Sequence, residues 1–188
     1  MPLVSSRPAT ARRARLQDVN AIVRLLSGGR RQFAEEAQPE LRLTLAHFGL
    51  ETGEVWVTES PAGTLEAAAV WLPPGAVIDE GEYRALLRLH EIGPSERTPA
   101  THHPVRLQPD DDHWLLAALG TTADGGPEAA GAVLAPVLGL IDEAMEPAYA
   151  SRPASFQARL LSRWGFVPWS DGRPGLLRRE PVVRDAAV

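Results

Sequence analysis

Residues 113–145 constrain the fold more than any other part of the chain. Residues 113–121 are apolar at nearly every position, 122–127 are a glycine-containing stretch ending on Pro127, and 128–145 have helical character with no charge from 129 to 141. A short apolar run closed by turn residues reads as a buried strand. The stretch 129–141 is too short to cross a bilayer, which takes about 20 residues, so it reads as a buried helix. Pro136 inside it predicts a bend. A buried strand followed by a buried helix must be built into a layered sheet-and-helix core.

The other elements follow from their own spacing. Residues 12–16 read as a short strand and Asp18 as a helix N-cap. Val19, Ile22, Val23, Leu25 and Leu26 then keep helical spacing as far as Ser27, Gly28 and Gly29. A second helix is expected over 32–48, with Leu41, Leu45 and Phe48 on one face and Gly49 closing it. Residues 55–59 and 65–72 flank Ser60, Pro61, Ala62 and Gly63, which is a hairpin pattern. Residues 80–89 predict a short helix carrying Tyr83, Leu86 and Leu87. The polar stretch 93–112, with His102, His103, Asp110, Asp111 and Asp112, predicts a loop over a surface or a site. After the long helix come a strand at 147–151, a helix at 155–164 and strands at 166–169 and 176–179. This order predicts an α/β fold of the α+β kind, a central mixed sheet with helices on its faces. One domain is expected over 12–180, between tails at 1–11 and 181–188.

Composition removes several chemistries. There is no cysteine, which excludes disulfides, thiolate zinc sites and a cysteine nucleophile. All 19 basic residues are arginine, so neither a Schiff-base lysine nor a phosphate-binding Walker lysine exists. The net charge of -5 carries no footprint of a nucleic-acid partner. No apolar leader stands in the first ten residues and no run is of membrane length, so a cytoplasmic protein without a membrane partner is expected.

Four segments, taken in order, resemble the GCN5-related N-acetyltransferases (GNAT). Arg13-Ala14-Arg15-Leu16-Gln17-Asp18-Val19 resembles that family's first strand and helix start, and residues 113–120 resemble its central strand. Residues 133–138 resemble the helix after it, and Arg163-Trp164-Gly165-Phe166 resembles its Arg-x-Gly-Phe turn. The resemblance runs from about Arg12 to Trp169 and implies the GNAT fold. It also implies acetyl-CoA as co-substrate, lying in a splay between the central strand and the next one. The backbone of Leu119, Gly120 and Thr121 would pair with the pantetheine arm, and Gly125, Gly126, Ala130 and Gly131 would surround the pyrophosphate. Gln157 would be the polar contact from the last helix. An amine of a small molecule or peptide would attack the thioester directly, with Asp112 or His113 as base. The physical basis of such a phosphate site is a helix N-terminus, whose N–H groups and dipole favour anions, with glycine allowing close backbone approach.

This chain departs from the pattern where the chemistry is densest. The family's Gln/Arg-x-x-Gly-x-Gly/Ala falls on residues 125–130, where only Ala130 matches. Glu128 stands at the key glycine and Pro127 has no N–H to offer. A register shifted by one makes Gly131 a motif glycine, and both registers remain open. Leu161, beside Leu160, stands where many members carry the tyrosine that protonates the leaving thiolate. Gln157 stands for an asparagine and Ser151 for a strand glutamate. Two readings therefore stay open. One is an N-acetyltransferase. The other is a GNAT fold that has abandoned acetyl-CoA and serves as a metabolite-binding or interaction module, or as a CoA-independent enzyme. A homodimer is left open as well.

Plainer explanations compete for several of these residues. Glu128 complements a helix dipole, the run of aspartates is ordinary solvated loop, and His113 opens a buried strand as a packed histidine would. His102 and His103 lack the i, i+4 spacing of a zinc pair, and no metal is expected. Ser155 has no nucleophile-elbow context, and the five tryptophans are core candidates.

Overall fold

The computed structural model describes residues 10–27, 31–76, 79–92, 112–151, 155–169 and 175–183. Among them seven strands form one sheet in the order β1-β2-β3-β4-β5-β7-β6. They are β1 Ala11–Arg13, β2 Glu54–Glu59, β3 Leu65–Leu72, β4 Trp114–Thr121, β5 Ala148–Ser151, β6 Val167–Pro168 and β7 Leu176–Arg179. Only β4 and β5 run parallel. A parallel pair needs a crossover, and α5 (Gly126–Ala144) supplies it. The remaining helices are α1 Val19–Leu26, α2 Arg31–Thr44, the single turn α3 Leu50–Thr52, α4 Glu80–Leu89 and α6 Ser155–Ser162.

The core has two sides because β3 is buried on both faces. Ala67, Ala69 and Trp71 pack toward α5 with Leu116, Val133 and Phe166. Ala68 and Val70 pack toward α1 with Ile22, Val23, Val55 and Val57. Such a strand reads as a continuous apolar run rather than an alternating one. Among the described residues no helix is long and apolar enough to cross a membrane.

Several boundaries differ from expectation for physical reasons. The first strand begins at Ala11, inside the expected tail, and ends at Arg13, because residues 16–18 turn into a 3-10 helix. Asp18 does not cap α1 with its side chain. It reaches back to the Arg15 N–H (2.7 Å) and takes the Arg12 guanidinium on both oxygens (2.7 and 3.1 Å). Gly49 does not end the second helix. A π-helical turn, Leu45–Gly49, carries it on into α3, and Gly53 is where the backbone becomes extended. Gly49 has a packing role instead, since a Cβ there would lie 2.8 Å from Leu45 Cδ1. α5 runs through Pro136 and ends at Ala144, with Met145 left-handed at φ 57. The helix at 80–89 falls as expected, with Asp79 accepting the Glu82 N–H at its N-cap. His102, His103, Asp110 and Asp111 lie outside the described residues.

A buried ion pair fixes the α6 end of the sheet. Arg179 on β7 bonds Asp142 of α5 at 2.8 Å and donates through Nε to the Trp164 carbonyl at 2.9 Å, just past α6. The two side chains are 6% and 10% exposed. Asp142 also accepts the Val182 N–H, at the start of the expected C-terminal tail. Removing one member of a buried pair strands the other charge, at about 3–5 kcal/mol. Asp142→Ala is therefore expected to lower the melting temperature by roughly 10 °C. A denaturant titration showing a loss under ~1 kcal/mol would mean that Arg179 finds water instead.

The Asp18 network gives a pH dependence with a defined sign. The Arg12 hydrogen bond holds the Asp18 carboxyl below its usual range. Burial opposes this, and the Arg15 N–H adds to it. A carboxylate lowered on folding contributes fully above its unfolded value, near 3.9, and loses that contribution as pH falls through the folded value. Asp18→Asn is expected to be less stable at pH 7 and to show a flatter decline in stability between pH ~4 and ~2, read by denaturation at a series of pH values.

Candidate active site

The site begins with a mismatch in strand pairing. β4 and β5 pair only at Trp114–Ala148, Leu115–Tyr149 and Leu116–Ala150, while β4 continues to Thr121. On its other side, Val70 pairs with Ala118 and Trp71 with Leu116, so Ala117 is an extra residue. A bulge of this kind bends its strand and sharpens the local twist. Among the described residues β4 runs on beyond Leu116 without a β5 partner, and this open edge is the fork of the sheet.

α6 lies along the fork. The Gln157 side-chain amide donates to the Leu119 carbonyl. Beside it, a cavity of about 440 Å³ is lined by Thr121, Thr122, Ala123, Gly126 and Pro127 from the β4–α5 turn, and by Arg159, Leu160 and Arg163 from α6 and its end. Arg159 lies in the last turn of α6 and Arg163 just past its end, and like charges on one cavity wall oppose each other. Among the described residues neither guanidinium has a carboxylate partner. Two unpaired guanidiniums beside the N-terminus of a long helix make an anion-binding environment.

The backbone contributes less than a phosphate loop usually does. Thr122 Oγ1 takes the Gly125 N–H at 3.0 Å and the Thr122 carbonyl takes the Gly126 N–H at 3.4 Å, while Pro127 has no N–H. Of the first four amides of α5, only that of Glu128 is left for a ligand.

The expected cofactor residues divide into two groups. Thr121 and Gly126 line the cavity, with Gly126 in the left-handed region at φ 52. Leu119 and Gln157 meet each other at the fork. Gly120, Gly125, Ala130 and Gly131 are packing positions. A Cβ on Gly120 would lie 3.0 Å from Leu26, one on Gly125 2.8 Å from the Glu66 carbonyl, and one on Gly131 2.5 Å from the Trp164 ring. Ala130 is fully buried. Neither register of the loop pattern therefore sets Ala130 or Gly131 at the cavity wall.

The base candidates stand at the opposite end of β4. His113 and Asp112 precede the strand, about 20 Å from Leu119 at the usual rise per residue. Asp112 is exposed. His113 is 8% exposed and packs edge-on against Tyr149 (5.0 Å, 82°), which meets Trp169 in the same way. The other tyrosine, Tyr83, donates to Glu40, and burial followed by that bond pushes its pKa up to about 12. Leu161 is in the core, and it is Leu160 that faces the cavity. Among the described residues no group of three or more His, Asp or Glu is placed to hold a metal.

Known proteins can be set beside this geometry. No protein-family model matches the sequence, and no curated protein does. Solved structures do match over nearly the whole chain. One, described as histone acetyltransferase HPA2 and related acetyltransferase of Corynebacterium glutamicum, is 19% identical over 96% of this chain and 100% of that one, with a TM-score of 0.64. A GNAT-family acetyltransferase of Staphylococcus aureus is 11% identical over 91% and 98%, at 0.60. A putative GNAT acetyltransferase of Desulfovibrio desulfuricans is 16% identical over 92% and 98%, at 0.54. The chain has the GNAT fold.

Within that fold, sequence reasoning missed Arg159 and Arg163. The signal was present as two arginines four apart on the last helix, but the β4–α5 loop drew the search. Glu128 is the reverse case. It is exposed and absent from the cavity wall, where the loop pattern had set a carboxylate against phosphate. Glu128→Gly is accordingly expected to leave anion binding within about twofold. It is also expected to cost ~1 kcal/mol of stability, since it removes a first-turn acid and adds backbone freedom. Paired melting and calorimetric titration with CoA check both halves.

Proposed function

We propose that this protein is an acetyltransferase acting on a small-molecule or peptide amine, with acetyl-CoA bound along the forked edge of β4. The observation that carries this reading is the continuity of the fork with a cavity that bears two unpaired guanidiniums. Bound acetyl-CoA would supply an activated acetyl group. The residues present fit such a ligand. Arg159 and Arg163 would take its phosphates, Gly126 would allow close approach, and the edge of residues 119–121 would offer backbone groups to its arm. A cavity of about 440 Å³ is within the ordinary range for small-molecule sites. The binding charge on this reading comes mainly from side chains rather than from backbone amides.

The base is proposed at Asp112, the exposed member of the pair. A base acts in contact or through one bridging water, so Asp112 would serve only an acceptor amine drawn to the Trp114 end of β4. His113, packed on Tyr149, would hold the start of β4 in place. A second reading, a GNAT fold that binds some other anionic metabolite, is favoured by one observation: among the described residues no carboxylate or imidazole lines the cavity.

Calorimetric titration separates the two. On the first reading acetyl-CoA binds, and Arg159→Ala and Arg163→Ala each weaken it about fivefold, as expected for partly exposed charge pairs of ~1 kcal/mol. The effect shrinks with added salt. Absence of binding at high micromolar acetyl-CoA would remove the first reading in favour of the second.

A further inference from the structure

We propose that α6 is a latch over the β4–β5 fork, held shut by Gln157, and that the arm of CoA enters only when this amide releases Leu119. The inference rests on the acetyl-CoA reading above. It starts from the one backbone group at the fork that the chain already satisfies. Among the described residues β4 has no strand partner on its β5 side after Leu116. Buried backbone carbonyls are almost always paired, and the Leu119 carbonyl accepts a hydrogen bond from Gln157 Nε2, a side-chain amide. A ligand arm that carries amide N–H groups along this edge seeks the same acceptor. Gln157 and such a ligand are thus competitors for one carbonyl, not partners.

The way α6 is held fits a latch. Its C-terminal end is anchored: Leu161 is 1% exposed in the core, Trp164 packs over Gly131, and the Trp164 carbonyl is fixed by Arg179. Nearer its other end Ala158 and Leu160 pack against the core, and Gln157 makes a hydrogen bond to Leu119 of β4. Arg159 in the last turn of this short helix and Arg163 just past its end line the adjoining cavity. An anion in that cavity engages α6 without entering the fork, so the phosphate end and the arm make separable demands. Releasing the latch is required only for the arm.

The penalty follows from population arithmetic. An affinity is reduced by the fraction of molecules in the competent state. One side-chain hydrogen bond to a carbonyl biases that fraction by about fivefold. Deleting the latch should therefore tighten CoA by about fivefold, whereas deleting a contact to the cofactor would weaken it.

The experiment titrates CoA and adenosine 3′,5′-bisphosphate, a headgroup probe without the arm, into the wild-type chain, Gln157→Ala and Gln157→Asn. The asparagine keeps an amide but falls one carbon short of Leu119, and it guards against a misfolded alanine variant. The expected result is CoA binding about fivefold tighter in both variants with the bisphosphate unchanged. Weaker CoA binding would make Gln157 a cofactor contact and overturn the latch. Equal CoA binding in all three proteins would overturn it too, as would equal tightening of both ligands, while the acetyl-CoA reading stood. If neither ligand binds any of the three proteins, the acetyl-CoA reading falls and the latch with it.

Discussion

A strand can pair with two neighbours, and β4 gives one of them up halfway along its length. The extra residue at Ala117 falls where the described pairing with β5 stops, and everything proposed for this protein happens along the edge left open there. Opening a sheet is costly because it exposes backbone groups that must be satisfied elsewhere. The molecule meets that requirement with α6, whose Gln157 supplies a donor to Leu119 and whose Leu161 closes the core beneath. The crossover that makes β4 and β5 parallel is also what sets the N-terminus of α5 at the end of β4. The fork, the helix terminus and the α6 arginines are thus consequences of one topological choice, not independent inventions.

The charge arrangement is what the proposed anion site would use in place of a backbone loop. A backbone cradle needs glycines and free amides. Here Thr122 consumes two amides and Pro127 removes a third. Guanidiniums replace amides at some loss of precision, since long side chains lose conformational freedom when they are ordered. They gain charge in return. Setting one in the last turn of α6 and the other just past it brings two like charges to one cavity wall, which is unfavourable in the chain alone. The arrangement makes physical sense where a counter-charge arrives from outside the chain.

How much of this was legible depended on what kind of constraint each residue answers to. The order of strands and helices followed from apolar periodicity, because burial on two faces of β3 and β4 leaves an unambiguous run. Helix ends were less legible. Gly49 looked like a stop, but its missing Cβ serves the approach of Leu45 and Val55. The same ambiguity misdirected the loop. The loop pattern expects Gly125 and Gly131 beside a ligand, and each makes room for another part of the chain, β3 and Trp164, as Gly120 does for α1. A sequence shows that a glycine is present but not which neighbour requires it. Arg159 and Arg163 were visible as charges yet silent about their surroundings, since only the packing of α6 against the β4 turn gives them a common cavity.

The missing acid and the distant base bear on rate more than on reaction class. With Leu160 at the cavity and Leu161 in the core, neither leucine offers a proton to a departing thiolate. An alkyl thiolate is a far better leaving group than an alkoxide and can take its proton from water. General acid–base help is typically worth 10²–10⁴-fold, whereas holding two reactants in register corresponds to effective molarities of 10⁵–10⁸ M. A protein that kept the fork and the anion site but lost its proton donors would forfeit the smaller contribution and retain the larger. That ordering is why the eroded loop and the leucines of α6 argue for a slower or more selective transferase before they argue against transfer altogether.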